Sequence, residues 1–555
     1  MARVVVIGGG VAGLSAGITA ALGGHEVTVL EKCANAGGNL VGWNREGYHI
    51  DNCVHWLTGT NPKTRLYKTW QTLGVLGQLD VYQPKTLYTV EADGKSLSLY
   101  SSLEKTEEAM LAVSESDDVE IRSFIRAVRA MNVISGTEKL SFKSISHFLS
   151  LAKYFNLTAR ELSERFRSPV LKSFTGSFFG EAFGAIALIN VFSTFTSGNG
   201  ALPRGGSTAM AEAMTQRLAE CGGVLLTKAE VAHLEIEGHR VRSVSTSDGR
   251  IIECDYTLFA CDPAVTARLL PVPLPDTLRK RYETLPRFSS YHFAYALEGT
   301  TLPFSSDIIL DIPKKYAPLL QSEKIMLREF SHEPSFSKVG KTVLGAMLFV
   351  DERGAESFIK MRKNNPERYR RHKEKLGRIV EKIITQSLEE LSGRLTLIDS
   401  WTPATYERYL GSECGAYMSF ILPAGYMPKR LNSKIKGLSN AYLASQWQNL
   451  PGGLPVAAEC GIHAAKQIKR TKQRQTQKRK ATEGSPPLSI IHYSSKTHRR
   501  FGGFFLILFS PGLSAPSCRA HQICKQNLSH DLFPRRQLDI NVAESALCDP
   551  AKKEA

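Results

Sequence analysis

The sequence predicts an α/β protein: a parallel-sheet domain opened by a strand, glycine turn and helix, an inserted α+β region, and a poorly ordered basic C-terminal tail. Three observations carry this prediction. A glycine-rich turn joins an apolar run to a small-residue helix at the start of the chain. Two later segments, near residues 201 and 441, repeat the chemistry of a strand leading through glycine into a helix. The positive charge, finally, is concentrated after residue 470.

The first unit runs from Arg3 through the four aliphatic residues Val4 to Ile7, into Gly8-Gly9-Gly10-Val11-Ala12-Gly13, and on through Leu14-Ser15-Ala16-Gly17 to Leu22. A continuous apolar run fits a strand buried on both faces of a parallel sheet. Gly8 is placed to make the tight turn, Gly10 to let backbone approach a pyrophosphate, and Gly13 to allow close helix-to-strand contact. With Ala12 they form the candidate diphosphate cradle, at a helix N-terminus whose free N–H groups and dipole favour negative charge. A second strand, Glu26 to Leu30, ends at Glu31, 18 residues beyond Gly13, where a carboxylate can accept hydrogen bonds from adenosine ribose hydroxyls. Strand, helix, spacing and acid together read as a Rossmann-like dinucleotide-binding unit.

After Glu31 come Lys32-Cys33-Ala34-Asn35-Ala36-Gly37-Gly38-Asn39 and later Gly47-Tyr48-His49-Ile50-Asp51. Here the chain resembles FAD-dependent flavoproteins of the amine oxidase and phytoene desaturase fold, in which a Gly-Gly loop passes along the FAD pyrophosphate. The residue after that pair is commonly Arg in the family; here it is Asn39, a hydrogen-bonding group without charge. Ala201 to Gly206, ALPRGG, precedes a helical stretch to Glu220, then Gly222-Gly223-Val224, hairpins at Glu237-Gly238 and Asp248-Gly249, and Tyr256 to Ala260 before Asp262-Pro263. The resemblance implies that this stretch returns to the FAD domain and that the backbone of Val231 touches the adenine. Near the end, Ala441 to Ala444 is followed by Ser445-Gln446-Trp447-Gln448-Asn449-Leu450-Pro451-Gly452-Gly453-Leu454-Pro455 and a small-residue helix. It looks like the family's closing motif, which implies that Gln446, Trp447, Gly453 and Leu454 face the flavin ring and ribityl chain. Lys32 and Gly38 complete the implied cofactor set.

Within that superfamily the chain is most similar to phytoene desaturases, prolycopene isomerases and retinol saturases. The residues concerned are Asp51-Asn52-Cys53-Val54-His55, where the family usually has Asp-x-Gly-x-His, the segment Asp399 to Tyr409, and the pair Gln446-Trp447. Cys53 stands in place of the usual Gly, which bears on backbone geometry near the flavin. His55 is read first as a packed, hydrogen-bonded residue and second as a participant in chemistry.

The implied organisation is a discontinuous FAD-binding domain (1–57, 199–273 and 432–469), a substrate domain (58–198 and 274–431) and a basic tail (470–555). Phe174 to Phe195 holds six phenylalanines among Gly, Ala and Ser, a composition that suits either ordinary core helices or the wall of a long apolar cavity. Arg362 to Lys382 reads as a solvated helix anchored by Leu376 and Ile379, with a basic face on lipid headgroups as its alternative.

The chain has 555 residues, 42% of them hydrophobic, ample for domain-sized cores, which excludes a wholly disordered, collagen-like or disulfide-stapled small protein. Its ten cysteines form no C-x-x-C pair and nothing before Arg3 reads as a secretory leader, so a reducing cytosol is the expected setting. No window reaches the roughly 18 to 20 apolar residues that span a bilayer, so a membrane is met from one side, as a peripheral contact. Residues 1–470 carry a net +9 and the last 85 residues +8. Nucleic-acid binding would rest on that tail alone and is not expected.

The expected function is therefore an FAD-dependent oxidoreductase of a polyisoprenoid, carotenoid- or retinoid-like apolar substrate, working by desaturation, saturation or redox-primed isomerisation. Oxygen, a quinone or NAD(P) would be the electron partner. No metal-ligand cluster and no Ser-His-Asp spacing is present. The alternatives are an amine oxidase-like flavoenzyme and a non-enzymatic prenyl-protein escort of the GDP-dissociation-inhibitor type.

Overall fold

A computed structural model describes residues 1–482 apart from 143, 181, 288, 301, 303, 305 and 306, with side chains described to residue 468. Residues 1–479 form one compact unit. The chain begins with strand β1 (Arg3–Ile7), helix α1 (Val11–Leu22) and strand β2 (Glu26–Leu30). The Val-Ile run of β1 is buried almost throughout, as an interior parallel strand requires. Five strands make the parallel sheet, in the order Val224–Leu226, β2, β1, Tyr256–Phe259, Ala441–Leu443. Strands distant in the chain thus lie side by side, and their carboxyl ends deliver the glycine turn, Glu31, Ala260 and Ser445 to one edge.

A hairpin of β3 (Gly42–Arg45) and β4 (Tyr48–Asp51) follows. A seven-stranded sheet draws on Thr86–Ala92 and Lys95–Tyr100 and on strands between Ser289 and Trp401. It is antiparallel except where Asp307–Asp311 runs parallel to Thr86–Ala92. Helices Asp118–Ser135, Ser144–Tyr154, Pro169–Gly176 and Ala185–Thr196 pack against it around one apolar cluster containing Phe124, Tyr88 and Phe192. The hairpins expected at Glu237-Gly238 and Asp248-Gly249 join Val231–Glu237, Arg240–Thr246 and Ile251–Glu253 into a small antiparallel sheet.

Two segments differ from the sequence reading. Arg362 to Lys382 is not one helix: Asn365 and Pro366 divide it into Glu352–Asn364 and Pro366–Ser387, with the Asn365 side chain accepting from Arg368 N at 2.9 Å. Proline fits only the first turn of the second helix. That helix is half-buried, through Tyr369, Leu376, Val380, Ile383 and Ile384. The closing helix, Leu454–Thr482, continues past Arg470, although the residues there lack an apolar period. The rest of the predicted tail, from residue 483, lies outside the described residues.

Candidate active site

The glycine turn is built as its spacing requires. Gly8 has φ +104°, a conformation an L side chain rarely adopts. A Cβ on Gly13 would lie 1.8 Å from the Gly8 carbonyl oxygen, so only hydrogen lets α1 sit on the turn. Gly10 differs: its Cβ would meet nothing nearer than 3.7 Å, and the nearest atoms belong to Gly37 and Gly38. No side chain caps α1 and no acid occupies its first turn, leaving its N-terminal N–H groups and dipole free for an anion. At the end of β2, Glu31 accepts from Gly9 N at 2.8 Å through Oε2 and from Cys33 N at 2.9 Å through Oε1. A carboxylate has about four lone-pair sites, so two remain for a ligand.

The Gly-Gly loop closes on this turn, with Gly37 N donating to Gly9 O at 2.8 Å. Asn39 is held inside the protein: its Nδ2 donates to Tyr417 O at 3.0 Å and its Oδ1 accepts from Asn52 Nδ2 at 2.8 Å. Asn52 is a hub the sequence reading passed over. Its Oδ1 also accepts from Trp401 Nε1 at 2.7 Å and Tyr406 OH at 3.0 Å. The two segments Asp51–His55 and Asp399–Tyr409 therefore meet through one amide. Cys53 needs no glycine conformation, since it is absent from the non-glycine residues with positive φ. Its thiol is pushed up to about 12 by burial and by Asp51. Asp51 accepts from Ser207 N at 2.5 Å and Ser207 Oγ at 2.7 Å at the start of helix Gly206–Glu220. A Cβ on Gly206 would fall 2.2 Å from the Asp51 carboxylate, which accounts for the second glycine of ALPRGG.

The closing segment folds back onto the same place. Gly453 N donates to Gln446 Oε1 at 2.9 Å. A Cβ on Gly461 would lie 2.0 Å from Ala12 O, so the closing helix and α1 are in backbone contact. Leu454 and Trp447 stand beside them.

These elements surround a cavity of about 900 Å³, within the range of roughly 300–1,000 Å³ of small-molecule sites. Gly8, Gly10, Ala12, Glu31, Lys32, Gly38, Asn39, Val231, Gln446, Trp447, Gly453 and Leu454 all line it. Gly13 does not; it acts one layer behind, as the packing glycine. The other part of the wall is apolar and aromatic, including Phe178, Phe179, Ile186, Val191, Met326 and Met347. Of the six phenylalanines between 174 and 195, Phe178, Phe179 and Phe183 face the cavity while Phe174, Phe192 and Phe195 fill the core.

Two buried groups were not singled out for chemistry by their sequence context: Asp262, which lines the cavity, and Arg328, which lines a small adjoining pocket with His55 and Met326. Asp262 caps the helix Pro263–Leu269 through Oδ1, which accepts from Ala264 N at 2.8 Å. Its Oδ2 is buried, and burial pushes its pKa up to about 7, with the Ala264 N–H and then the Ser412 hydroxyl opposing. Arg328 forms a buried bidentate pair with Asp307, at 2.9 Å and 2.5 Å, and donates to Val54 O at 3.0 Å. Burial alone would lower the Arg328 pKa, and Asp307 more than offsets it, keeping the guanidinium charged. Next to it His55 has a buried Nδ1 without a hydrogen-bond partner. Burial, then Arg328 and His292, hold His55 well below the usual imidazole range, so it is neutral. Arg328 and Asp307 face each other across neighbouring strands of the seven-stranded sheet, a pairing that the spacing of the two residues in the chain does not reveal.

A family model for flavin containing amine oxidoreductase matches residues 11–469. The chain belongs to this family. It is an FAD-dependent oxidoreductase. Curated relatives of this flavin amine oxidoreductase include the 4,4'-diaponeurosporene oxygenase of Staphylococcus aureus (strain MW2), 21% identical over 84% of this chain and 98% of the relative. The protein of the same description from Staphylococcus haemolyticus (strain JCSC1435) is also 21% identical, over 84% of this chain and 97% of its own. Among solved structures, an oxidoreductase from Methanosarcina mazei is similar with a TM-score of 0.56 at 16% identity, covering 84% of this chain and all of its own. Cyclohexylamine oxidase from Brevibacterium oxydans IH-35A follows with a TM-score of 0.54 at 12% identity, covering 85% of this chain and 99% of its own. At such identities the structures show the shared fold.

The residues of the flavin amine oxidoreductase cavity fit FAD. The uncapped α1 terminus beside Gly10 suits a diphosphate, and Glu31 has acceptor sites to spare for a ribose. Among the described residues, no group of three or more His, Cys, Asp or Glu is placed to hold a metal ion, and no helix is long and apolar enough to cross a membrane. Seven described cysteines are free thiols.

Proposed function

We propose that this flavoenzyme desaturates, saturates or isomerises an extended apolar substrate of polyisoprenoid, carotenoid or retinoid type. The observation that carries the reading is the apolar wall of Phe178, Phe179, Ile186, Val191, Met326 and Met347, continuous with the glycine-lined part of one cavity. The acidic lining residues Glu31, Glu230 and Asp262 all lie on loops that follow strands of the central sheet or precede Val231. None of them belongs to the apolar stretch of the wall. The staphylococcal relatives, oxygenases of 4,4'-diaponeurosporene, support a carotenoid-type substrate.

Bound FAD supplies hydride acceptance or donation. Gly8, Gly10, Ala12, Lys32, Gly38 and Asn39 hold its diphosphate region, Glu31 its ribose and the Val231 backbone its adenine. Gln446, Trp447, Gly453 and Leu454 border its ring. Gly13 supports the cradle from behind. In this reading 1–57, 199–273 and 432–469 form the FAD domain and 58–198 with 274–431 the substrate domain, while oxygen, a quinone or NAD(P) takes the electrons. The chain's own work is to hold a polyene against the ring and to exclude water, which the apolar wall does.

The test is incubation of the FAD-loaded protein with a lipid extract, followed by mass spectrometry and chromatography. Loss or gain of two hydrogens, or a change of double-bond geometry at constant mass, supports the reading. Unchanged lipids alongside hydrogen peroxide release from polyamines or aromatic amines would replace it with the amine oxidase reading.

A further inference from the structure

We propose that the outer face of the helix pair Asp118–Ser135 and Ser144–Tyr154 docks on an anionic lipid bilayer. Among the described residues, six of the fourteen large exposed apolar side chains fall between Val119 and Leu149. Phe142 is 96% exposed, Ile145 59% and Leu149 63%; Ile145 and Leu149, four apart, share one stripe of the second helix, and Phe142 stands in the turn before it. The helices run antiparallel: Glu120 accepts from Lys153 Nζ at 2.7 Å and Tyr154 OH at 2.8 Å, and Arg126 Nε donates to Ser150 Oγ at 3.2 Å. Val119, 79% exposed, therefore flanks one end of the stripe, and Ile134, 47% exposed, the other.

The stripe is not a core left unfilled. The inner faces of the same helices bury Ile121, Phe124, Ile125 and Val128 on one and Leu151 and Tyr154 on the other. A contiguous apolar patch on top of a complete core marks an interaction surface. Two features point to lipid. Exposed Lys139 and Lys153, the latter also paired with Glu120, bracket the stripe, an arrangement that suits a segment facing anionic headgroups. The patch also backs onto the apolar part of the cavity: helix Asp118–Ser135 contributes Met131 to the wall, and helix Ala185–Thr196, packed on it, contributes Ile186 and Val191. Docked this way, the protein presents its apolar chamber beside a phase in which apolar molecules dissolve.

The test is flotation of the full-length, FAD-loaded protein with vesicles of phosphatidylcholine and phosphatidylglycerol, without substrate, so its outcome is independent of the substrate assigned above. The protein floats, and the triple variant Phe142→Asp, Ile145→Asp, Leu149→Asp loses about tenfold or more of its vesicle binding. Val339→Asp, at an exposed apolar residue elsewhere, leaves binding unchanged, and flavin absorbance certifies that each variant is folded. Failure of the parent protein to float, or equal flotation of the triple variant, overturns the proposal. So does a parent dimer in light scattering that the triple variant dissolves, which would assign the stripe to a second copy of the chain.

Discussion

Glu31→Gln places a single-atom change where the cradle is most exacting. The carboxylate is buried and accepts two backbone N–H bonds, from Gly9 at 2.8 Å and Cys33 at 2.9 Å. Glutamine keeps one acceptor and turns an NH₂ toward the other N–H. One charge-assisted bond, worth about 1.5–3 kcal/mol, is lost, and one buried donor is left unpaired at about 1–3 kcal/mol. With partial relaxation, apo-protein stability should fall by about 2–4 kcal/mol, read as a lower denaturant midpoint at unchanged slope. The two acceptor sites free for a ribose also weaken, so FAD affinity should drop roughly 10- to 100-fold in a fluorescence titration. Unchanged stability would refute the hydrogen-bond account of the turn. Unchanged FAD affinity with reduced stability would refute the ribose assignment alone.

Four further outcomes follow from the same geometry. Gly13→Ala forces a Cβ to within 1.8 Å of Gly8 O, an overpacking cost of about 1–3 kcal/mol or more, and should yield little soluble flavoprotein. Gly10→Ala, with nothing nearer than 3.7 Å, should fold normally and bind FAD weakly, as calorimetry and flavin titration would reveal. Asp262 holds its proton in the folded state to about pH 7 against 3.8 unfolded, so between about pH 4 and 7 the folded apo-protein binds more protons and its unfolding free energy falls as pH rises, by up to about 4 kcal/mol. Asp262→Asn should flatten that dependence; a parent protein of constant stability across this window would contradict it. Ile186→Asp should keep flavin absorbance and abolish turnover of an apolar substrate, and retained turnover would move the substrate away from this wall.

The cofactor half of the molecule was legible because backbone geometry there dictates residue type. Gly8 needs its positive φ, Gly13 its missing Cβ, and Glu31 its place at the end of β2, so each leaves a mark in the chain. The pairing of Val224–Leu226, Tyr256–Phe259 and Ala441–Leu443 with β1 and β2 was legible in part, from the glycine turns beside them. The substrate half resisted. Phe178 and Phe192 are the same residue type in the same small-residue context, yet Phe178 lines the cavity and Phe192 does not, because Phe178 lies in the bend after helix Pro169–Gly176 and Phe192 within helix Ala185–Thr196, where tertiary packing sets the direction of each ring. Asn52 is silent in sequence: its partners Trp401 and Tyr406 lie on another sheet and the helix after it. Asp262 could be read as a helix cap before proline, but not as a carboxyl group buried in the lining of the cavity. Asn39 lines the cavity, and its contacts with Tyr417 and Asn52 likewise leave no mark in the sequence.

The most direct measurement is anaerobic: the FAD-loaded protein is mixed with a solubilised polyene and the visible flavin absorbance followed against time, in parallel with aromatic amines and polyamines. Bleaching by the polyene, with a product lacking two hydrogens, or reoxidation of dithionite-reduced flavin by a polyene that gains them, is the expected result. Isomerised polyene formed only with reduced flavin also fits. Bleaching by amines while polyenes leave the spectrum and themselves unchanged would contradict the proposed function.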